Sequence, residues 1–97
     1  MNWTIEINRT ATKQIAKLPK GIQRLTYLLL KDLELNGPTT GGSWKNYSKL
    51  KGMGSHDIRH CHLHHGKPTY VCCWEVNDKT LRVIEVFYVG THEKAPY

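Results

Sequence analysis

Long apolar runs are missing from this sequence. Leu28-Leu29-Leu30 is three residues and even Tyr70 to Trp74 is only five, far short of the roughly 18 that a membrane-crossing helix needs. The opening MNWTIEINRT has no basic stretch leading into an apolar one, which argues against a secretory signal and for a cytoplasmic protein. Cysteine is scarce and odd in number. Cys61, Cys72 and Cys73 lack CxxC spacing, and two neighbours in sequence pair poorly with each other, so all three read as reduced, buried small hydrophobes. Four prolines and eight glycines are too few for a collagen-like or linker-like chain. Acidic residues are also sparse: eight Asp and Glu face fourteen Lys and Arg, a net charge of +6 before any of the six histidines is protonated. Such an excess either keeps a small domain soluble or draws a polyanion such as nucleic acid or ribosomal RNA.

What is present suits one α+β domain of 97 residues, with a thin core that depends on nearly every large apolar side chain. Trp3 to Ile7 alternates apolar and polar like a strand, and Thr10 is placed to cap a helix. Ile15, Leu18, Ile22, Leu25, Leu28, Leu29 and Leu33 then recur on helical spacing. Pro19 and Gly21 divide that stripe, which predicts a short helix over about 10–18 and a longer one over about 20–36. Asn36-Gly37-Pro38 stops the second helix. Residues 37–55 read as a long loop with five glycines, carrying Trp44, Lys45, Tyr47, Lys49 and Lys51. Beyond it the period becomes two, predicting strands over 56–65, 69–76 and 81–89, the middle one apolar on both faces. The predicted order is β-α-α-β-β-β, two N-terminal helices on a mainly antiparallel four-stranded sheet.

The sharpest local feature is His60-Cys61-His62-Leu63-His64-His65. In a strand, alternation would send Cys61 and Leu63 to the core and His60, His62 and His64 to the other face. One use of such a ladder is metal binding, but Cys61 points the wrong way and Asp57 is the sole nearby carboxylate. Another is proton chemistry on a phosphodiester, where one imidazole removes the 2′-hydroxyl proton, a second protonates the leaving 5′-oxygen, and a cation steadies the phosphorane. A solvated polar face with no task is the third. Residues 45–67 hold Lys45, Lys49, Lys51, Arg59 and Lys67 against one acid, Asp57. Trp44 and Tyr47 among them could stack on bases or pin the loop to the core.

Taken with the order of elements, Lys49-Leu50-Lys51-Gly52, Tyr70 to Val76, and Gly90-Thr91-His92 with the terminal Tyr97 resemble the RelE/ParE toxin superfamily. The resemblance is greatest to its ribosome-dependent mRNA interferase branch, the YafQ-type toxins in particular. It implies a toxin of a type II toxin–antitoxin system that cuts mRNA in the ribosomal A site without a cofactor. It assigns acid or base chemistry to His92, base stacking or catalysis to Tyr97, and imidazole groups on the strand to His60 and His62. The classical RelE pattern carries Lys and Arg where this chain has those histidines, and Pro68 falls near an expected Arg, leaving Arg59 or Lys67 to stabilise charge. Lys45, Lys49, Lys51, His64, Lys67 and Trp44 are the expected RNA contacts. The implied partners are a cognate antitoxin, the ribosome with its mRNA, and operator DNA through the antitoxin complex, with no membrane. The alternative on the same scaffold is a ParE-like inhibitor of DNA gyrase, for which a histidine ladder has no chemical use.

Overall fold

The structure, a computed structural model, describes residues 2–97. Its elements are β1 (Thr4–Ile7), α1 (Arg9–Ala16), α2 (Lys20–Asn36), β2 (Lys45–Lys49), β3 (Ile58–His64), β4 (Tyr70–Asp78), β5 (Val83–Thr91) and a closing 3-10 turn (His92–Lys94). The sheet has five strands rather than four, in the order β1-β5-β4-β3-β2. Pairing is antiparallel except where β1 runs parallel to β5. The extra strand lies inside the stretch read as loop. Its sequence, KNYSK, has no apolar alternation because β2 is an edge strand exposed at all positions except Tyr47. Asn46 has φ 54° and the register slips between Lys45 and Ser48, so the edge is bulged.

Asn8, not Thr10, opens α1: its side-chain oxygen accepts the Ala11 N–H at 2.8 Å, satisfying a donor that the helix start leaves free. Pro19 stands at the N-cap of α2, where its missing N–H costs nothing. At the other end Gly37 adopts φ 85° and its N–H donates to the Leu33 carbonyl. A Cβ there would meet the Trp3 indole nitrogen at 2.9 Å, so both conformation and space demand glycine.

α1 packs on β5, and α2 on β3 and β1. Ala11, Ile15, Ile22, Leu29 and Leu33 meet Cys61, Leu63, Cys72, Trp74, Ile84, Val86 and Val89 in the main core. Leu28 departs from the predicted stripe and is 61% exposed. β4 is covered on both sides, as its apolar sequence requires. Cys72 and Trp74 face the helices, while Val71 and Cys73 face a smaller cluster with Tyr88, Phe87 and Ala95 of the C-terminal segment. The three cysteines are free and buried, and burial pushes Cys61 and Cys73 up to about 12, so neither is a reactive thiolate near neutral pH. Truncating the fully buried Leu33 leaves a cavity in the main core. Leu33→Ala is expected to lower the unfolding free energy by about 2–5 kcal/mol in urea titration, with an unchanged m-value.

Candidate active site

The face of the sheet away from the helices carries the candidate site. His60 and His62 project from β3 onto this face at 8% and 9% exposure, while Cys61 and Leu63 enter the helix-side core. The alternation predicted for the ladder then breaks. β3 pairs His62 with Val71 and His64 with Tyr70, so Leu63 is an extra residue opposite β4. The bulge turns His64 outward over Gly66, and His65 comes back beside His62 in its place. The third rung of the ladder is therefore His65, which period-two reasoning passed over.

The second half of the site comes from the C-terminus. β5 delivers the chain to Thr91, and the 3-10 turn folds it across the open face. The His92 N–H donates to the Thr69 carbonyl at 2.8 Å, the Tyr88 hydroxyl donates to the Thr91 carbonyl at 2.6 Å, and Ala95 packs on the smaller cluster. The His92 ring centroid thus lies 5.5 Å from that of His62. Tyr97 packs 4.6 Å from His60 and 5.8 Å from His92, centroid to centroid. His60, His62, His65, His92 and Tyr97 form one continuous set of rings.

Each ring nitrogen with a partner is oriented by it. Ser48 Oγ, from the unforeseen strand β2, lies 3.2 Å from His60 Nδ1, and His65 Nε2 lies 3.2 Å from His62 Nδ1. Beside the rings opens a cavity of about 560 Å³ walled by His62, Lys67, Pro68, Thr69, His92 and Glu93. That volume is within the range of small-molecule and nucleotide pockets. Burial, reinforced by the neighbouring rings, holds His60 and His62 below the ordinary histidine value; His92 acts on both, and His65 on His62. Burial pushes the Tyr97 phenol up to about 12, leaving a protonated donor near neutral pH.

Several expected site residues lie elsewhere. Arg59 has the parity of Cys61 and does not join the rings. Its guanidinium pairs with Asp57 at 2.9 and 3.0 Å and donates to the Tyr47 hydroxyl at 3.1 Å. The hydrogen bonds from Arg59 to Asp57, with the guanidinium's charge, hold the Asp57 carboxyl below its usual range. Lys49 reaches the same carboxylate at 3.8 Å, on the far face from the histidines. Trp44 is not free to stack on a base: its indole N–H donates to Asp32 at 2.7 Å and its ring packs on the core. Tyr47 stacks on Trp74 at 6.1 Å. Both aromatics anchor the segment. Lys45 is the register partner of His62 on β2 and is exposed, as is Lys51. Of the expected cations, Lys67 is the one that lines the cavity. Among the described residues, no three His, Cys, Asp or Glu side chains are arranged to hold a metal ion.

No protein-family model matches the chain, and no curated protein matches it. Solved structures do. The chain is similar to a chain of the archaeal RelE–RelB complex from Pyrococcus horikoshii, at 22% identity and TM-score 0.76, covering 98% of this chain and 100% of that one. A metal-bound toxin from Helicobacter pylori is 25% identical with TM-score 0.71, covering 97% and 98%. A mutant of E. coli toxin RelE in the free state is 21% identical with TM-score 0.73, covering 98% and 88%. Over its whole length the chain has the RelE-type toxin fold.

Unfolding returns His60 and His62 to water and to ordinary values near 6.5, so below that pH the unfolded chain binds more protons than the folded one. Their contribution is intact above about pH 6.5 and is lost as pH falls through the lower folded values. The urea midpoint is expected to drop between about pH 7 and about pH 5, and to drop less in the double variant His60→Asn/His62→Asn.

Proposed function

We propose that this protein is the toxin of a toxin–antitoxin pair and an endoribonuclease that cuts ribosome-bound mRNA through its histidine cluster. The observation that carries this reading is the approach of His92, from the turn that follows β5, to His62 of β3, beside a cavity lined by Lys67. Cleavage within RNA needs a base, an acid and a positive charge over one phosphodiester. His62, whose pKa burial lowers, removes the 2′-hydroxyl proton. The 2′-oxygen attacks phosphorus, and His92 donates a proton to the departing 5′-oxygen. The products are a 2′,3′-cyclic phosphate and a 5′-hydroxyl. Lys67 supplies charge to the phosphorane, and Tyr97, with its phenol protonated, donates to a phosphate oxygen or stacks on a base. Lys45, the register partner of His62, and exposed His64 add positive or protonatable groups beside the rings.

The likeness to RelE structures, one of them a complex with RelB, supports an antitoxin as partner. With +6 of net charge, the chemistry that would cover this face is acidic. Association with the antitoxin is expected to slow steeply with salt, and a rate indifferent to ionic strength counts against that surface.

The test is cleavage of mRNA on stalled ribosomes with end-group analysis. His62→Ala and His92→Ala are each expected to slow cleavage by about 10²- to 10⁴-fold, while Arg59→Lys cleaves near the wild-type rate because its guanidinium is turned away. Intact transcripts, with growth arrest and DNA damage, would instead support the gyrase-inhibitor alternative.

A further inference from the structure

The geometry points to His65 as a positioning residue: we propose that its imidazole fixes the tautomer and orientation of His62, making the base a two-histidine unit. The inference rests on the nuclease reading for its catalytic meaning, but the pairing itself can be read without any substrate.

The Leu63 bulge is what creates the pair. Without the extra residue, His64 would follow His62 on the same face and lie a full two-residue step along the strand. With it, the rings of His62 and His65 sit 4.8 Å apart and tilted by 44°, with His62 Nδ1 and His65 Nε2 at hydrogen-bond distance, 3.2 Å. A neutral imidazole has one N–H and one lone pair. A base facing the cavity needs its lone pair on Nε2, which requires the proton on Nδ1 and an acceptor for it. His65 Nε2 is that acceptor, with its own proton on Nδ1, where the exposed ring meets water.

The bond gains strength during the reaction. When the 2′-O–H bond breaks, its proton goes to His62 Nε2 and the ring becomes an imidazolium that keeps its Nδ1–H. The contact to His65 then turns from a neutral into a charge-assisted hydrogen bond, which is shorter and stronger. Stabilisation therefore appears mainly as charge develops and contributes to rate more than to substrate binding. A carboxylate in the same place would also favour the charged resting ring, whereas a neutral imidazole leaves the base unprotonated at rest. The groups facing His62 fit this division. His60 and His65 lie on its own segment, Lys45 is its register partner on β2, and Lys67, His92 and Glu93 stand around the cavity. Glu93 is the one acid among them.

Long-range ¹H–¹⁵N NMR of the free protein above pH 7 reads the tautomer of each histidine directly. In wild type His62 is expected as a single Nδ1–H form. In His65→Phe, which keeps a ring of similar size at an exposed position, it becomes a mixture with the Nε2–H form. In His65→Gln, whose amide oxygen still accepts, the Nδ1–H form is retained. Single-turnover cleavage is expected to slow about 10- to 100-fold in His65→Phe with little change in KM, and to recover in part in His65→Gln. An unchanged His62 tautomer in His65→Phe overturns the proposal and leaves the nuclease reading standing. A wild type that leaves mRNA whole, with His62 still responding to His65→Phe, overturns the nuclease reading and confirms the pairing.

Discussion

Everything on the histidine-bearing face depends on β4 being buried from both sides. Val71, Cys72, Cys73 and Trp74 are all fully buried, so the strand cannot slide by one residue without moving a whole apolar set to the wrong face. That locks the register of its two neighbours. β3 is held on one side with His62 opposite Val71, and β5 on the other with Gly90 opposite the same residue. His62 and the chain entering His92 are thereby placed across one strand from each other, and the 3-10 turn, held by the His92 N–H to Thr69 and by Ala95, brings the two rings to 5.5 Å.

The two faces of that sheet then divide the charged chemistry. On the helix side, the Arg59–Asp57 pair is enclosed with Tyr47 and approached by Lys49 and Lys79. It is a satisfied structural network. On the open side the groups are imidazoles and a phenol, whose neutral forms can be half-buried at modest cost, where a lysine or arginine would need a buried partner. Histidine on this face lets the protein half-bury titratable rings there without an anion to offset them. The consequence is sensitivity to acid, since each proton added charges a ring in a dehydrated site beside other rings.

Much of this was legible from residue order, because it rests on short-range periodicity. α2 matches its expected span, and the helix stop at Gly37 and the burial of Cys61, Cys72 and Cys73 follow from local pattern. β2 was not legible: an exposed edge strand buries too little to impose alternation on its sequence. Trp44 could have faced RNA or the core, and nothing local told these apart. Its hydrogen bond to Asp32 on α2 spans twelve residues. Arg59 suits charge stabilisation by residue type, but its parity with Cys61 sends it to the helix side, where it pairs with Asp57.

By itself the sequence determined the class of fold, the covered central strand, the positive surface and the presence of imidazoles on one strand, since each follows from composition or from periods of two and about 3.6. Tertiary structure alone decided that His65 and not His64 joins the cluster, that Ser48 meets His60, and that His92 and Tyr97 close over the same face. A bulge is one unpaired residue, visible only against the partner strand that it fails to match. A tail finds its place through the backbone groups and apolar surface left uncovered once the sheet has formed.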